Sequence, residues 1–329
     1  FNVPDNIYAD AKIYLTVLAV SVPLIVIYDA AAALLQAAGD SRCTFYAMLC
    51  STVTNISLDL LFVAVFRWGV LGAALATALA QLVSALIALV TLLRRDAFTM
   101  ERRFWRPDRE ILRELVRLWL PMFWNSVIIA AGGMVVQKQI NTRGAAFSGG
   151  ISAGVKLFNL IEAVIMGIQS GTCIFIGQNL GARQIRRART GLVRITGVAE
   201  ILSAVMILWL WGDRLLSVLM WSQDPATGRQ ALKTAWDSIR VLSLGVLIMT
   251  PMYLHRGAVQ TLGYTIYSMI AGCLQMVVRI LTIRFAPPVL GDLGYYLPDV
   301  AAWAVSLVVV FAAYQYHIRK LSAKEKQPA

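Results

Sequence analysis

Nine long apolar runs restrict the fold of this chain more than any other feature of its sequence. Each has about 18 or more residues, enough for a helix to cross a hydrocarbon core of about 30 Å. The runs lie near residues 13–35, 43–66, 69–93, 115–136, 145–176, 191–211, 239–262, 266–285 and 300–317. They predict an all-α integral membrane protein with nine transmembrane helices, most of them long enough to be tilted.

The placement of charge supports this fold class. Only 15% of the residues are charged, against about 25% in soluble domains. A net charge of +12 could indicate a nucleic-acid partner, but nineteen of the thirty basic residues fall in alternate connections and in the C-terminal tail. Positively charged connections stay in the cytoplasm. We therefore expect a cytoplasmic C-terminus, contact with the lipid bilayer and no nucleic-acid partner.

Several functional classes lack their motifs. The sequence has no G-x-x-x-x-G-K-[ST] phosphate-binding loop and no C-x-x-C pair, and it has only two histidines. A P-loop ATPase and a zinc cluster are therefore excluded. No pairing of a nucleophile with a base stands out, so we expect neither an enzyme nor an organic cofactor.

A basic and aromatic connection divides the chain. Residues 94–110 hold arginines mixed with Phe98, Phe104 and Trp105, a composition typical of a segment lying in the membrane interface. We expect three domains or segments. They are a three-helix remainder of an N-terminal lobe (1–93), a cytoplasmic interfacial linker (94–110) and a six-helix C-terminal lobe with a basic cytoplasmic tail (111–329).

A weak internal repeat explains the unequal halves. The stretch Leu35-Gln-Ala-Ala-Gly39 resembles Val259-Gln-Thr-Leu-Gly263, and a polar residue follows each glycine by sixteen positions, Asn55 and Arg279. Transporters commonly consist of two such repeats. If the repeat has six helices, the whole protein has twelve, and the chain, which opens on Phe1, is expected to be truncated at its N-terminus.

Asn55 and Asp59 are polar residues inside the second run. Charges in a bilayer cost about 2.5–3.5 kcal/mol each on insertion scales, so they usually have a partner or line an aqueous cavity. Four residues apart, the two side chains share one helical face. A carboxylate beside an amide oxygen suits a small cation or a proton, which predicts a cation-coupling site with possible sodium binding. The alternative is an aspartate that only bonds a neighbouring helix.

The fifth run carries a polar stripe that predicts a face towards a water-filled cavity. Its members fall within about 140° of the helix circumference. They are Ser152, Lys156, Asn159, Glu162 and Gln169. Glu162 is a candidate proton or substrate-charge site, and Lys156, Asn159 and Gln169 are candidate cavity residues. A charge pair between helices is an equal alternative for Glu162 and Lys156.

Three further positions carry expectations. Tyr28 and Asp29 follow Pro23, a proline that can kink the first helix and free carbonyls to solvate a cation, so both are candidate cavity residues. Arg256 is expected to extend its side chain towards the membrane surface. Gln275 and Arg279 share a helical face and predict an interhelical clamp.

Four motifs occur in one order along the whole chain. They are Ala37-Ala-Gly39-Asp-Ser-Arg42, Asn55-Ile-Ser-Leu-Asp59, Gly69-Val-Leu-Gly-Ala-Ala-Leu-Ala-Thr77 and Gly177-Gln-Asn-Leu-Gly-Ala182. The ordered set resembles the multidrug and toxin extrusion (MATE) family of cation-coupled efflux transporters. On that register the nine runs correspond to helices four to twelve of twelve.

The resemblance implies two six-helix lobes around a central cavity that opens alternately to either side of a bacterial cytoplasmic (inner) membrane. It implies antiport of drug-like, often cationic, organic compounds against sodium ions or protons, by a monomer. Asn55 and Asp59 match family positions linked to cation binding, and Glu162 lies where some members carry a functional glutamate. Gln275 stands where an acid is often expected.

Two other functions remain open. A lipid-linked oligosaccharide flippase of the same superfamily would carry more cationic groups to hold pyrophosphate, and Lys156, Arg256 and Arg279 fit that pattern. An inactive truncated transporter, acting as a receptor or assembly partner, would have the same sequence features.

Overall fold

The computed structural model describes residues 5–95, 108–210 and 225–325, and within these ranges the chain consists of helices joined by short turns. The helices are α1 (Asp5–Ala37), α2 (Ser41–Asp59), α3 (Gly69–Leu93), α4 (Arg109–Asn141), α5 (Ala145–Gly181), α6 (Ile185–Leu210), α7 (Pro225–Thr261), α8 (Ile266–Phe285), α9 (Pro287–Leu290), α10 (Leu293–Tyr296) and α11 (Pro298–Glu325). A π-helical segment, Leu60–Val65, continues α2 without a break.

Nine helices in the described ranges are long and apolar enough to span a membrane, as the apolar runs predict. Two of these helices, α3 and α8, have the bounds of their apolar runs, while others extend beyond them. The helix α6 begins at Ile185 rather than near residue 191, and α7 begins at Pro225 rather than near residue 239. The added turns carry arginine and lysine, which lower the hydropathy without interrupting the backbone hydrogen bonds, so hydropathy alone places these boundaries too late.

The chain forms two compact units, residues 1–107 and 108–329. The interfacial linker expected at 94–110 lies mostly in residues 96–107, outside the described ranges, and α4 begins at Arg109. We call the two parts unit 1 and unit 2.

In unit 1, α3 packs along both α1 and α2. Small residues make this close contact possible, because they leave room for the neighbouring backbones. The buried face of α3 is rich in alanine and includes Ala74, Ala76, Ala80, Ala85 and Ala88. Beside it, Leu35 of α1 and Leu92 of α3 are buried in a small apolar cluster.

In unit 2, α7 is the central helix, and α5, α6 and α11 pack against it, while α8 packs against α4 and α11. The apolar core joins α5, α7 and α11, where the rings of Phe158 and Trp303 stack with centroids 5.6 Å apart.

A G-x-x-x-G pattern brings α5 and α7 close together. A Cβ added at Gly150 would lie 2.4 Å from the carbonyl oxygen of Ala231, and one at Gly154 would lie 2.4 Å from Oγ of Ser238. These two glycines therefore set the distance between the helices.

The turns of the internal repeat have the same geometry. At the end of α1, the Gly39 N–H donates to the Gln36 carbonyl and the Asp40 N–H donates to the Leu35 carbonyl. At the end of α7, Gly263 and Tyr264 make the equivalent bonds to Gln260 and Val259. This is the Schellman helix ending, which places its glycine in the left-handed region. The two φ values are 89° and 85°.

Candidate functional site

A polar cavity of about 190 Å³ lies between α1, α2 and α3 of unit 1. Hydroxyl and amide groups from three helices contribute to its wall. Its lining residues are Tyr28, Met48, Ser51, Thr52, Asn55, Thr77, Ala80, Gln81 and Ser84. We call it the unit 1 polar cavity.

The serine and threonine hydroxyl groups of this cavity hold their protons towards helix carbonyls. Ser51 Oγ donates to the Ala80 carbonyl at 2.7 Å, and Ser84 Oγ donates to the Gln81 carbonyl at 2.9 Å. The hydroxyl oxygens therefore keep their lone pairs as acceptors. The amide groups of Asn55 and Gln81 make no hydrogen bond to another described residue, so both are available to a bound group.

Asp59 lies one helical turn beyond Asn55, where α2 passes into its π-helical segment. Its carboxylate does not line the unit 1 polar cavity. One oxygen, Oδ1, is buried and has no hydrogen-bond partner among the described residues. A buried acceptor left without a partner costs about 1–3 kcal/mol, and π-helical turns inside α-helices are frequent at functional sites.

The structure brings Tyr28 and Asn55 together but leaves Asp29 apart. The Tyr28 ring lines the cavity, while Asp29, the next residue on α1, is exposed and outside it. The sequence did not identify Thr77 and Gln81 as site residues. Their position on α3 is not deducible from the spacing along α2.

In unit 2, the predicted polar stripe of α5 runs from an exposed part to a part that contacts α7. Lys156 and Asn159 are exposed, and Glu162 and Gln169 are half-buried. Glu162 Oε1 accepts a hydrogen bond of 2.7 Å from the Tyr253 hydroxyl of α7. Lys156 forms no ion pair with Glu162 or with any other acid in the described part of the chain.

Arg256 differs from its expected position at the membrane surface. Its side chain is buried, with 5% of its surface exposed. Nη2 donates to Ser306 Oγ of α11 at 2.9 Å, and the guanidinium lies 5.7 Å from the centre of the Tyr253 ring. Nε has no partner among the described residues. The expectation was wrong because the position of a residue along its helix predicts only its depth in the membrane. It does not predict which side of that helix is covered by a neighbouring helix, here α11.

Arg279 forms the clamp that the sequence predicts. Nη2 lies 2.7 Å from Asp299 Oδ1 of α11, and Nη1 donates to the Ile129 carbonyl of α4 at 3.2 Å. Gln275, its neighbour on the same face, is buried, and its amide nitrogen donates to the Met252 sulfur at 3.9 Å. The ionic part of the clamp therefore depends on Arg279.

Among the described residues, no three histidine, cysteine, aspartate or glutamate side chains come together as a metal-binding group. The acidic residues described above do not cluster with one another: Asp59 is in unit 1, and Glu162 and Asp299 are in unit 2. A small cation at Asp59 would need ligands of another type, such as the Asn55 amide oxygen.

The comparisons with known proteins agree on one family. The MatE family model matches residues 1–61 and 121–283. The probable multidrug resistance protein YoeA of Bacillus subtilis (strain 168) is 25% identical over 332 residues, covering 96% of this chain and 70% of that protein. The multidrug export protein MepA of Staphylococcus saprophyticus is 29% identical over 266 residues, covering 79% of this chain and 57% of that protein.

Solved structures show the same fold. A crystal structure of MATE in complex with MaL6 matches with a TM-score of 0.85 at 21% identity, covering 94% of this chain and 70% of that one. A MOP superfamily transporter from Pyrococcus furiosus, in which reverse polarity of the binding pocket suggests a different function, matches with a TM-score of 0.86 at 21% identity and the same coverage.

The relatives are named as multidrug resistance and export proteins, not as enzymes. The family model covers more than half of the chain, and its matched segments include both the Asn55-Asp59 pair and Glu162. This multi-pass helical membrane protein belongs to the MatE family.

Proposed function

We propose that this protein is a secondary active antiporter. It exports drug-like, often cationic, organic compounds in exchange for sodium ions or protons, by alternating access. We also propose that it acts as a monomer in the bacterial cytoplasmic membrane with its C-terminus in the cytoplasm. The names of the relatives and the family match support multidrug export, and the charge asymmetry of the connections supports the orientation.

One observation carries the coupling proposal: the buried Oδ1 of Asp59 without a partner among the described residues. A sodium ion or a proton would remove this cost, and Asn55, one turn away, supplies an amide oxygen that accepts no hydrogen bond from the described part of the chain. The nearby unit 1 polar cavity holds further oxygen acceptors. Asp59 with Asn55 is thus the proposed coupling site.

Coupling requires that the ion and the substrate favour different states of the transporter. An ion at Asp59 favours one state because it satisfies the buried carboxylate there. A cationic substrate favours the other state when it contacts a carboxylate. In unit 2, Glu162 is the proposed second acid, and Lys156, Asn159 and Gln169 are the proposed cavity residues on the same side of α5.

Ethidium efflux tests the proposal in pump-deficient bacteria that express the full reading frame encoding this chain. Efflux that stops when the ion gradient is collapsed, and that is lost in Asp59→Asn, is the expected result. Asp10→Asn is the matched control, because it removes the same charge from an exposed position of α1. Wild-type efflux in Asp59→Asn would refute the assigned role.

Asn55→Ala separates the two coupling ions. If sodium is bound, loss of the amide oxygen raises the sodium concentration for half-maximal efflux by about tenfold, the effect of about 1.4 kcal/mol of lost ligand energy. If a proton is bound, the Asn55→Ala variant still exports ethidium in sodium-free medium, and this efflux stops when the proton gradient is collapsed. The two results exclude each other.

The second candidate function is a lipid-linked oligosaccharide flippase. The observation that favours it is Arg256, buried without a carboxylate partner among the described residues and able to attract pyrophosphate. Translocation of a fluorescent lipid pyrophosphate into vesicles, lost in Arg256→Gln but kept in the exposed control Arg284→Gln, would replace the antiporter proposal. Ethidium efflux by Arg256→Gln would count against the flippase.

A further inference from the structure

The turn after α5 has an arginine where the turns after α1 and α7 have glycine. The Arg183 N–H donates to the Leu180 carbonyl, and the Gln184 N–H donates to the Asn179 carbonyl, the same pair of bonds as at Gly39 and Gly263. Arg183 adopts φ 55°. A side chain in this region is unfavourable, and glycine is the usual residue. The backbone conformation of this turn therefore does not explain why residue 183 is an arginine.

Arg183 lies at the edge of a basic cavity of about 780 Å³, formed by α5, this turn and the first turns of α6. Four arginines line the cavity, and no acidic residue does. The lining residues are Phe175, Arg183, Gln184, Arg186, Arg187, Thr190, Gly191, Arg194 and Ile195. On α6, positions 187, 190, 191 and 194 recur at steps of three and four residues, which places them on one face. We call this space the arginine cavity.

The arginines of the arginine cavity are free to bind an anion. Among the described residues, Arg187 is the only one of the four whose side chain makes a hydrogen bond, from Nη1 to Gln184 Oε1 at 3.3 Å. None of the four forms an ion pair with an acid in the described part of the chain. Their charges therefore repel one another without internal neutralisation, and a bound anion would relieve that repulsion.

One wall of the cavity is apolar. The ring of Phe175 lies against α6 at Gly191, where an added Cβ would be 2.1 Å from its Cε1 atom. Ile195, one turn further, is half-buried beside it. A ligand with an anionic head and an apolar body fits this combination of arginines and apolar side chains.

The arginine cavity also lies at the junction of two candidate membrane spans. The spans on either side end at Gly181 and begin at Ile185. The first turns of α6 therefore cross the level of the lipid phosphates, on the side where the basic connections collect. Arginine binds phosphate through two parallel hydrogen bonds, and basic pockets at this level suit anionic lipid headgroups.

We propose that the arginine cavity binds the headgroup of an anionic phospholipid, with its four arginines around the phosphate and Phe175 against the glycerol and upper acyl region. This site is independent of the proposed transport function. It gives unit 2 a specific lipid contact on the cytoplasmic side of the membrane.

The test uses nanodiscs that contain equal parts of phosphatidylglycerol and phosphatidylcholine. After release of the protein into detergent, native mass spectrometry counts the lipids that stay bound. The wild type is expected to retain phosphatidylglycerol in preference to phosphatidylcholine. In the triple variant Arg186→Gln, Arg187→Gln and Arg194→Gln, the ratio of retained phosphatidylglycerol to phosphatidylcholine is expected to fall by about a hundredfold. Each basic residue contributes about fivefold to the affinity for an anionic lipid.

The matched control removes three exposed arginines from the first turns of α4, in the variant Arg109→Gln, Arg113→Gln and Arg117→Gln. It has the same net charge as the cavity variant and should keep the preference. Equal loss in both variants, or retention in the cavity variant, would overturn the proposal. Binding of inorganic phosphate by the wild type without any preference for phosphatidylglycerol over phosphatidylcholine would also overturn it in favour of a free-anion site.

Arg183→Gly separates lipid binding from folding. Glycine suits φ 55° better than arginine does, so the melting temperature in phosphatidylcholine nanodiscs should stay equal or rise, while phosphatidylglycerol retention falls about fivefold. A lower melting temperature with unchanged retention would assign Arg183 to the stability of the turn and refute its role in lipid binding.

Discussion

The Tyr253 hydroxyl donates a hydrogen bond of 2.7 Å to Oε1 of Glu162, and this bond joins α7 to the polar side of α5. The two residues are 91 positions apart in the chain. Because Glu162 is half-buried, its carboxylate depends on this bond for part of the solvation that water would otherwise supply.

Tyr253→Phe should therefore destabilise unit 2. The change removes a donor to a charged acceptor, which costs about 1–2 kcal/mol at a half-buried site. Thermal unfolding in detergent measures the loss. Tyr316→Phe, at a position that is 61% exposed, is the control and should unfold like the wild type. Equal melting temperatures for the two variants would contradict the importance of the bond.

Arg279→Gln should destabilise unit 2 more than Asp299→Asn does. The arginine loses two contacts, to Asp299 and to the Ile129 carbonyl, for about 2–3 kcal/mol. Asp299 has 37% of its side chain exposed, so water replaces part of what Asp299→Asn removes. Chemical unfolding of the two variants beside the exposed control Arg284→Gln gives the order, and a reversed order would show that Asp299 has a further partner.

Gly150→Ala should loosen the contact between α5 and α7. Its Cβ would lie 2.4 Å from the Ala231 carbonyl oxygen, so a helix must move, at about 1–3 kcal/mol. Gly149→Ala is an adjacent control, because its Cβ meets nothing within 4 Å. Alanine also suits a helix better than glycine, so this variant should melt at the wild-type temperature or above it. Similar melting temperatures for the pair would show that α7 adjusts freely.

The pH dependence of unit 1 should include a contribution from Asp40. The Cys43 N–H, which donates to Asp40 Oδ1 at 3.1 Å, and then Arg95 hold the pKa of this carboxyl below its ordinary value. A lowered folded-state pKa favours folding at neutral pH, and the contribution falls away as the pH drops below about 4 and through the lowered pKa.

Asp40→Asn tests this dependence, because asparagine still caps α2 but does not titrate. The melting temperature of the wild type should fall more than that of Asp40→Asn between pH 7 and pH 3. The control Asp10→Asn, exposed on α1, should follow the wild type. Parallel curves for Asp40→Asn and the wild type would show that the cap is equally strong when protonated.

The helices were predictable because a chain segment in lipid must satisfy its backbone polar groups by internal hydrogen bonds, and a long apolar run identifies such a segment. The N-x-x-x-D spacing predicted one helical face for Asn55 and Asp59, because residues four apart lie above one another on an α-helix. Hydropathy does not report the π-helical segment after Asp59, because a π-turn changes hydrogen-bond register and not composition.

The contacts between helices were not predictable in the same way. Arg256 and Arg279 are both arginines inside apolar helices, yet one is buried beside Ser306 and the other pairs with Asp299. Ser306 is 50 residues from Arg256 and Asp299 is 20 residues from Arg279. Each partner is therefore set by tertiary packing. Neither of these partners could be deduced from composition or from residue spacing.

The shared ending of α1 and α7 follows from one backbone requirement. In the two five-residue stretches only the glutamine and the glycine are identical, and the glycine is the residue that the φ near 85–89° requires. The other three positions differ between the two stretches, because the backbone bonds of the turn do not depend on their side chains. Any engineered permutation or fusion of the two copies should therefore be joined outside Gly39 and Gly263.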